Sequence, residues 1–313
     1  MLKKMKKFII TVDTEGDNLW AWKQGAPITT RNAKFIPRFQ MLCEKYGFKP
    51  TYLTNYEMAN DEEWVQYAKQ KARAELCEIG LHIHAWNSPP DYLLSDVYHG
   101  NSYITEYPDD VIINKVAYLT ELLSVKFDTS IVSSRSGRWA TNEIYFKALV
   151  QAGIKVDCSV TPEIDLSMLP GCNKNIGNDY SKYSKQPHII YPGLFEIPMT
   201  TRRLRWNAPG TIKHKLKVQL FGEDMWLRPH KLSMEYLMSI TKSVEAEEVD
   251  YLEFMIHSSE LMPGGSPYFK NDAEIEKLYE LLKCYFSYMN YKGYKGCTLE
   301  EYYRLKVMEN GIN

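Results

Sequence analysis

The chain has 313 residues, and its 38 Lys and Arg against 39 Asp and Glu give a formal net charge of −1. This balance gives no bulk attraction to nucleic acid or to anionic lipid, so no nucleic-acid partner is expected. With 44% hydrophobic and 25% charged residues, the composition excludes a disordered or fibrous chain. A chain of this length builds a core without a structural metal, so any metal would serve catalysis.

The N-terminal region predicts an unexported protein. The apolar run from Phe8 to Val12 that follows the basic start is too short for a signal peptide, and no stretch approaches the roughly 18 apolar residues of a membrane span. We therefore expect a cytoplasmic protein with no integral membrane segment. The six cysteines are scattered without a CxxC pair, which favours free thiols.

Apolar β-branched runs alternate with amphipathic stretches along the chain. The predicted strands are 7–13, 48–54, 77–84, 129–134, 154–160, 195–199 and 251–257. The predicted helices are 32–46, 61–76, 109–125, 142–152, 229–247 and 273–289. Residues 161–188 are predicted as a long excursion over one face. The alternation indicates parallel β/α units, and we expect one β/α barrel domain over 1–313.

Reactive residues stand at the ends of these predicted strands: Asp13, His84, Arg135, Asp157 and His257. The carboxyl ends of parallel strands converge on one face of a barrel, where active sites are built. The sequence therefore predicts a single site to which distant parts of the chain contribute.

The first two motifs suggest metal chemistry. In Thr11-Val-Asp-Thr-Glu-Gly-Asp17, Asp13 and Glu15 lie two residues apart and project to the same side of a strand, where they could supply a metal ligand and a general base. A strand ending in a polar turn is the alternative. His82 and His84 also share a strand face and form half of a metal site, or else are two satisfied polar residues.

Two further motifs complete a set of hydrolase parts. In Ser133-Ser-Arg-Ser-Gly-Arg-Trp139, glycine permits close approach, and Arg135 could keep a catalytic carboxylate ionised. A surface arginine is the alternative. Phe254-Met-Ile-His-Ser-Ser-Glu260 brings His257 to the same rim, although a lone histidine is more often structural. Together, two carboxylates, the histidines and an arginine are the parts of a mononuclear metal hydrolase.

The order of motifs resembles that of the NodB-type polysaccharide deacetylases of the carbohydrate esterase family four superfamily. The matching segments are Thr11-Val-Asp-x-Glu15, Glu78-Ile-Gly-x-His82, Arg135-x-Gly-Arg-Trp139, Val156-Asp-x-Ser-Val160 and the late strand ending in His257. The chain is similar in particular to the WbmS-like subgroup linked with surface-glycan biosynthesis. The resemblance implies a distorted, partly open (β/α)7 barrel. It also implies a divalent metal, most often zinc, and removal of an acetyl or formyl group from an N-acylated amino sugar in bacterial surface-polysaccharide or O-antigen biosynthesis.

The resemblance also implies roles for single residues. Asp13 would be the base, Glu15 and His82 metal ligands, Arg135 the group that orients Asp13, His257 the general acid and Asp157 its orienting partner. The family spaces its histidines four apart, and Trp86 stands at that position here, so His84 is predicted as the substitute ligand. Because Thr14 replaces the second of two adjacent aspartates, Asp13 as ligand with Glu15 as base stays open.

Aromatic and basic residues near the predicted rim are candidates for substrate binding. Flat apolar rings suit sugar faces, and the candidates are Trp20, Trp86 and Trp139, together with Arg138. A basic group could meet the phosphate of a nucleotide-linked or lipid-linked substrate, with a solvated face as the alternative: Arg202, Arg203, Arg205 and Arg228.

Three other functions are alternatives to carbohydrate deacetylation. An amidohydrolase acting on a small non-sugar amide would use the same site. A non-catalytic glycan-binding relative would have a decayed metal site, which the altered histidine spacing favours. A glycosidase built on Asp13 and Glu15 ranks last, because carboxylates two apart on one strand are poorly placed to flank a sugar bond.

Overall fold

The computed structural model describes residues 6–23, 25–95, 101–172, 174–175, 177–205, 209–247 and 249–310. The strands are β1 Lys7–Thr14, β2 Pro50–Thr54, β3 Glu78–Ile83, β4 Ser133–Ser136, β5 Val156–Asp157, β6 Pro170–Gly171, β7 Lys174–Asn175, β8 His188–Tyr191, β9 Leu194–Glu196, β10 Thr201–Leu204, β11 Glu223–Trp226, β12 Tyr251–His257 and β13 Lys295–Gly296. The helices are α1 Ile36–Lys45, α2 Tyr56–Ala59, α3 Glu62–Arg73, α4 Asp109–Phe127, α5 Glu143–Gln151, α6 Ile212–Phe221, α7 Met234–Glu245, α8 Asp272–Tyr291 and α9 Leu299–Asn310.

The main sheet curls into a distorted, partly open (β/α)7 barrel, as expected. Its strand order is β12-β1-β2-β3-β4-β5-β9-β8, and within the described ranges the first seven of these run parallel while β8 is antiparallel to β9. The barrel is open between β8 and β12. The seven parallel strands point their carboxyl ends to one rim, which is where the reactive motifs fall.

Alternation along the strands separates two apolar regions. In β1, Phe8, Ile10 and Val12 belong to the large core between the sheet and its helices. Ile9 belongs to a second core inside the barrel, which α9 closes at the amino ends of the strands with Leu299 and other residues. The carboxyl half of the barrel interior is therefore left to polar side chains such as Asp13.

Helix starts follow the expected capping chemistry. Asp61 accepts a hydrogen bond from the backbone N–H of Trp64 at 2.9 Å and begins α3, and Asn142 accepts one from Tyr145 at 2.8 Å and begins α5. These local signals are short in range, so the sequence predicts them well.

Several boundaries and elements differ from the sequence prediction. β4 begins at Ser133 rather than at residue 129, and β5 is limited to Val156 and Asp157. β5 ends at Asp157, and three residues later the Glu196 carboxylate accepts from the Val160 N–H at 2.9 Å. β8, α9 and the β10–β11 hairpin that carries α6 were not predicted. The excursion over 161–188 does exist and contains β6 and β7.

The cysteine and membrane expectations can also be compared with the structure. All six cysteines lie within the described ranges, and all are free. Among the helices that the structure describes, none combines the length and the apolar character needed to cross a bilayer.

Candidate active site

Three side chains from the ends of β1 and β3, which lie on either side of β2, converge inside the carboxyl rim of the barrel. Glu15 follows β1, His82 lies in β3 and His84 follows it, so the period of two places both imidazoles on the inner face. His84 Nε2 lies 2.8 Å from Glu15 Oε2 and 3.0 Å from His82 Nε2, and His82 Nε2 lies 3.6 Å from the same carboxylate oxygen. All three side chains are buried.

This donor set fits a divalent metal such as zinc. Ligands at about 2.0–2.1 Å around a tetrahedral ion lie roughly 3.3–3.4 Å from one another, close to the observed spacing of the three donor atoms. His82 Nδ1 donates to the Arg135 carbonyl oxygen at 3.0 Å, which leaves the Nε2 lone pair facing the other two donors. Asp13 is not part of the ligand-spaced group found among the described residues.

The Glu15 backbone is held from two sides. Asn32 Nδ2 donates to the Glu15 carbonyl oxygen at 2.7 Å, and the Ser258 hydroxyl accepts from the Glu15 N–H at 3.1 Å. Burial alone would raise the pKa of the Glu15 carboxyl, but its contacts with His82 and His84 lower it. Glu15 is therefore an ionised carboxylate fixed in one position.

Asp13 is paired with an arginine that spans the barrel interior. Arg135 Nη1 lies 2.5 Å from Asp13 Oδ1, and its Nη2 donates to Glu253 Oε1 and to Thr11 Oγ1. Arg135 has no exposed surface. Burial is the largest influence and would raise the pKa of Asp13, but the charges of Arg135, His82 and His257 together lower it, and the net direction is down. The predicted contact between Arg135 and Asp13 is thus present in the structure.

His257 lies beside both carboxylates of the first motif. Its Nε2 is 3.9 Å from Asp13 Oδ2 and 3.9 Å from Glu15 Oε1, because Asp13 and His257 are register partners in β1 and β12. Its Nδ1 lies 3.3 Å from Glu260 Oε2, and its backbone N–H donates to the same oxygen at 2.8 Å. Arg228 Nη2 donates to the other Glu260 oxygen at 2.9 Å.

Glu260 is charged although it is fully buried. Burial would raise its pKa, but the Arg228 charge and the hydrogen bonds from His257 lower the pKa to about 2. The Glu260 carboxylate holds the His257 ring with Nδ1 turned into the protein, so Nε2 faces the pocket.

The carboxylate beside His257 is therefore Glu260 and not Asp157, which corrects the role predicted for Asp157. Asp157 is in register with Ser134, one residue before Arg135, and so lies on the opposite face of the sheet from the site. Its Oδ1 accepts from the Ser134 hydroxyl at 2.5 Å. Burial raises the pKa of both Asp157 and its neighbour Glu196.

A pocket of about 390 Å³ opens over these groups. All four residues predicted to contact substrate line it, together with Tyr268: Trp20, Trp86, Arg138 and Trp139. The Trp86 ring lies 4.3 Å from the His84 ring and the Trp20 ring 4.9 Å from the His257 ring, measured between centroids. The walls are therefore flat and apolar, and the floor is charged.

The turn after β4 approaches the site closely. A Cβ on Gly137 would lie 2.5 Å from the Ile83 carbonyl oxygen and 3.1 Å from His84 Nδ1, so only glycine fits there, as the motif predicted. Arg138 and Trp139 follow with φ of 57° and 55°, the left-handed region that costs free energy for non-glycine residues. The Arg138 guanidinium is held by the Pro170 carbonyl oxygen at 2.7 Å.

The four arginines considered as a phosphate site lie in two places, because Arg202, Arg203 and Arg205 line a second pocket of about 940 Å³ and Arg228 does not. Arg202 bonds Glu247 at 2.9 Å and Arg203 bonds Asp224 at 2.6 Å. Of the four, Arg228 alone lines the pocket above Asp13 and Glu15 within the described ranges.

Sequence reasoning missed the supporting residues around the predicted set. They are Asn32, Glu253, Ser258, Glu260 and Tyr268, while Arg228 was a candidate for phosphate binding only. Glu260 had a usable signal, because an acid three residues after His257 matches a capping arrangement in the 3₁₀ turn Ser258–Leu261. The others had none, since they come from elements far apart in the chain.

Comparison with known proteins adds the fold but not the activity. No protein-family profile and no curated protein matches the sequence. Among solved structures, a candidate glycoside hydrolase/deacetylase from Parabacteroides distasonis matches with a TM-score of 0.57 and 11% identity, covering 98% of this chain and 73% of that one. A 4-alpha-glucanotransferase from Thermococcus litoralis matches with a TM-score of 0.53 and 12% identity, covering 96% of this chain and 40% of that one.

A third match is the Xyl-CE4 domain of a multidomain xylanase from the hindgut metagenome of Trinervitermes trinervoides, with a TM-score of 0.45, 13% identity, and 99% and 93% of the two chains covered. The two structures that superpose with a TM-score above 0.5 show a shared barrel. Because the two structures that superpose above 0.5 carry different chemistries in their descriptions, the side chains of the site must decide the function.

Proposed function

We propose that this protein is a metal-dependent hydrolase that removes an acetyl or formyl group from an N-acylated amino sugar in bacterial surface-polysaccharide or O-antigen biosynthesis. The observation that supports the proposal is the convergence of Glu15, His82 and His84 beside an Arg135-bound Asp13 and a Glu260-bound His257. A ligand group, a base and an acid thus share one pocket, which is the minimum that amide hydrolysis requires.

Glu15, His82 and His84 would hold the metal. When bound, a divalent ion such as zinc polarises the amide carbonyl and lowers the pKa of water. Because Asp13 is bound by Arg135, Glu15 is the better candidate for the metal ligand. We assign the role of general base to Asp13.

Asp13 takes the proton from the attacking water. Its Oδ1 is occupied by Arg135, so its Oδ2, which faces His257, is the oxygen available to accept the proton. Arg135 also keeps the carboxylate ionised, because the pKa of Asp13 is lowered by the adjacent charge.

His257 gives a proton to the departing amine through Nε2. Glu260 holds Nδ1, and His257 Nε2 lies 3.9 Å from Asp13 Oδ2, so the proposed acid and base lie side by side at the floor of the pocket and can act on the same amide. Trp20, Trp86 and Trp139 form flat walls on which a sugar ring can stack, which favours a carbohydrate over a small amide.

An acyl-release assay tests the proposal. The zinc-loaded protein is incubated with N-acetylated and N-formylated amino sugars, free and nucleotide-linked, and with a panel of small amides; release of acetate or formate from the sugars alone is expected. The Asp13→Asn variant is the matched control, and it should keep its metal while losing about 10²–10⁴-fold in rate.

Three outcomes would refute the proposal. Release from the small amides alone would indicate an amidohydrolase of another class. No metal binding and no release from any compound would indicate a glycan-binding relative with a decayed metal site. Full activity of Asp13→Asn would remove Asp13 from the mechanism.

A further inference from the structure

The helix α6, Ile212–Phe221, is exposed over nearly its whole surface. It lies between β10 and β11, which pair antiparallel, so the helix stands on a hairpin. Of its ten residues, all of which the structure describes, Val218 alone is buried. Large apolar side chains point into solvent, with exposed fractions of 79% for Ile212, 57% for Leu216 and 70% for Leu220.

These three side chains form a single stripe. At about 100° per residue, Ile212, Leu216 and Leu220 fall within an arc of roughly 80°. Val218 lies about 160° from the middle of that arc and packs toward the body of the protein. The stripe therefore points away from the barrel, and an exposed apolar stripe of this kind marks an interaction surface.

Lysines flank the stripe on both sides. Lys213 and Lys217 lie on one side and Lys215 on the other, and α6 contains no acidic residue. None of the three lysines has an acidic partner in the part of the chain that the structure describes. The acids of the hairpin are already paired: Glu223 with Lys231 at 2.6 Å, and Asp224 with Arg203 at 2.6 Å.

We propose that α6 is a membrane-surface helix that binds anionic lipid. In the interface plane the stripe would enter the boundary between headgroups and acyl chains, and the lysines would extend to the headgroups. The local charge of +3 on α6 attracts an anionic surface, although the balanced total charge of the chain predicts no such attraction. The lysines favour lipid over a second copy of this chain, because a copy would bring its own three lysines to the contact.

Strand β11 connects α6 to the pocket. β11 runs from the end of α6 to the pocket rim, where the Trp226 ring lies 4.7 Å from the Trp139 ring and Arg228 lines the cavity. The seven residue steps from Phe221 to Arg228 span at most about 23 Å. The inference is independent of the proposed function, because lipid binding is measured without substrate.

Vesicle co-sedimentation of the full chain tests the proposal. We expect binding to vesicles that contain phosphatidylglycerol, weaker binding as salt is raised, and little binding to phosphatidylcholine alone. Leu216→Ser with Leu220→Ser should lower the partition coefficient at least about tenfold. Replacing the three lysines with glutamine should lower it on the order of a hundredfold.

A matched control distinguishes the stripe from exposed apolar residues in general. Met41 and Val125 are 59% and 71% exposed on α1 and α4, and Met41→Ser with Val125→Ser should bind lipid as the wild type does. Unchanged Tm values in all variants would show that folding is intact.

Three results would overturn the proposal. The first is a wild-type protein that does not sediment with anionic vesicles, and the second is a set of serine and glutamine variants that sediment as well as the wild type does. The third is a lipid-free dimer, seen by sedimentation velocity, that Leu216→Ser with Leu220→Ser dissociates, because a second copy would then cover the stripe.

Discussion

The buried Glu260 carboxylate makes a pH-dependent contribution to stability that the variant Glu260→Gln removes. In the native state the carboxylate accepts from His257 and Arg228, and these contacts lower its pKa from an ordinary value of 4.5 to about 2. The amide of glutamine has the same shape but carries no charge, so Arg228 loses its buried counterion.

The size of the effect follows from the linkage between proton binding and folding. A pKa lowered from 4.5 to about 2 corresponds to about 3 kcal/mol of unfolding free energy. Because the folded-state pKa is the lower one, this stabilisation is fully present above pH 4.5 and is lost as the pH falls toward 2. The free-energy difference between wild type and Glu260→Gln should therefore shrink as the pH falls.

Urea unfolding from neutral pH down to about pH 3 measures this difference. Glu63→Gln, on the exposed surface of α3, controls for the loss of one carboxylate and should show no comparable change. A difference between wild type and Glu260→Gln that is constant over the whole range would refute the assignment of Glu260 as a buried, charged partner of His257. The same variant should also lower the rate of acyl release, since His257 loses the group that orients it.

Three further experiments test the rest of the site. Zinc at about a hundred times its Kd should raise the unfolding free energy of the wild type by about 2.7 kcal/mol, and Glu15→Ala should lose most of this gain; equal stabilisation of both in a thermal shift assay would exclude Glu15 as a ligand. Arg135→Met leaves Asp13 and Glu253 buried without a cation and should cost about 3–5 kcal/mol in urea unfolding, whereas Glu253→Gln keeps the pair with Asp13 and should cost less; equal costs would contradict the pairing. Gly137→Ala places a Cβ 2.5 Å from a β3 carbonyl oxygen, so it should cost about 1–3 kcal/mol and weaken zinc binding in a metal titration, and unchanged affinity would count against the close approach.

Local patterns account for what could be predicted before the structure. Strand β12 was predicted with the observed bounds, because a buried run ending at His257 has no competing interpretation. The period of two placed His82 and His84 on one face, and parallel strands placed Asp13, Arg135 and His257 at one rim. These features depend on neighbouring residues and on the hand and period of the backbone, both of which can be read along the chain.

Contacts between distant segments determine the features that the sequence did not predict. Asp157 was assigned to His257 from motif order, but the pairing of β5 with β4 puts Asp157 beside Ser134, one residue before Arg135, and therefore on the face turned away from the site. Glu260 takes that place because a 3₁₀ turn folds it back under His257. The exposure of α6 is likewise tertiary, since the same apolar residues in another packing would be core. Burial and pairing arise from the whole fold, so no local pattern could assign them.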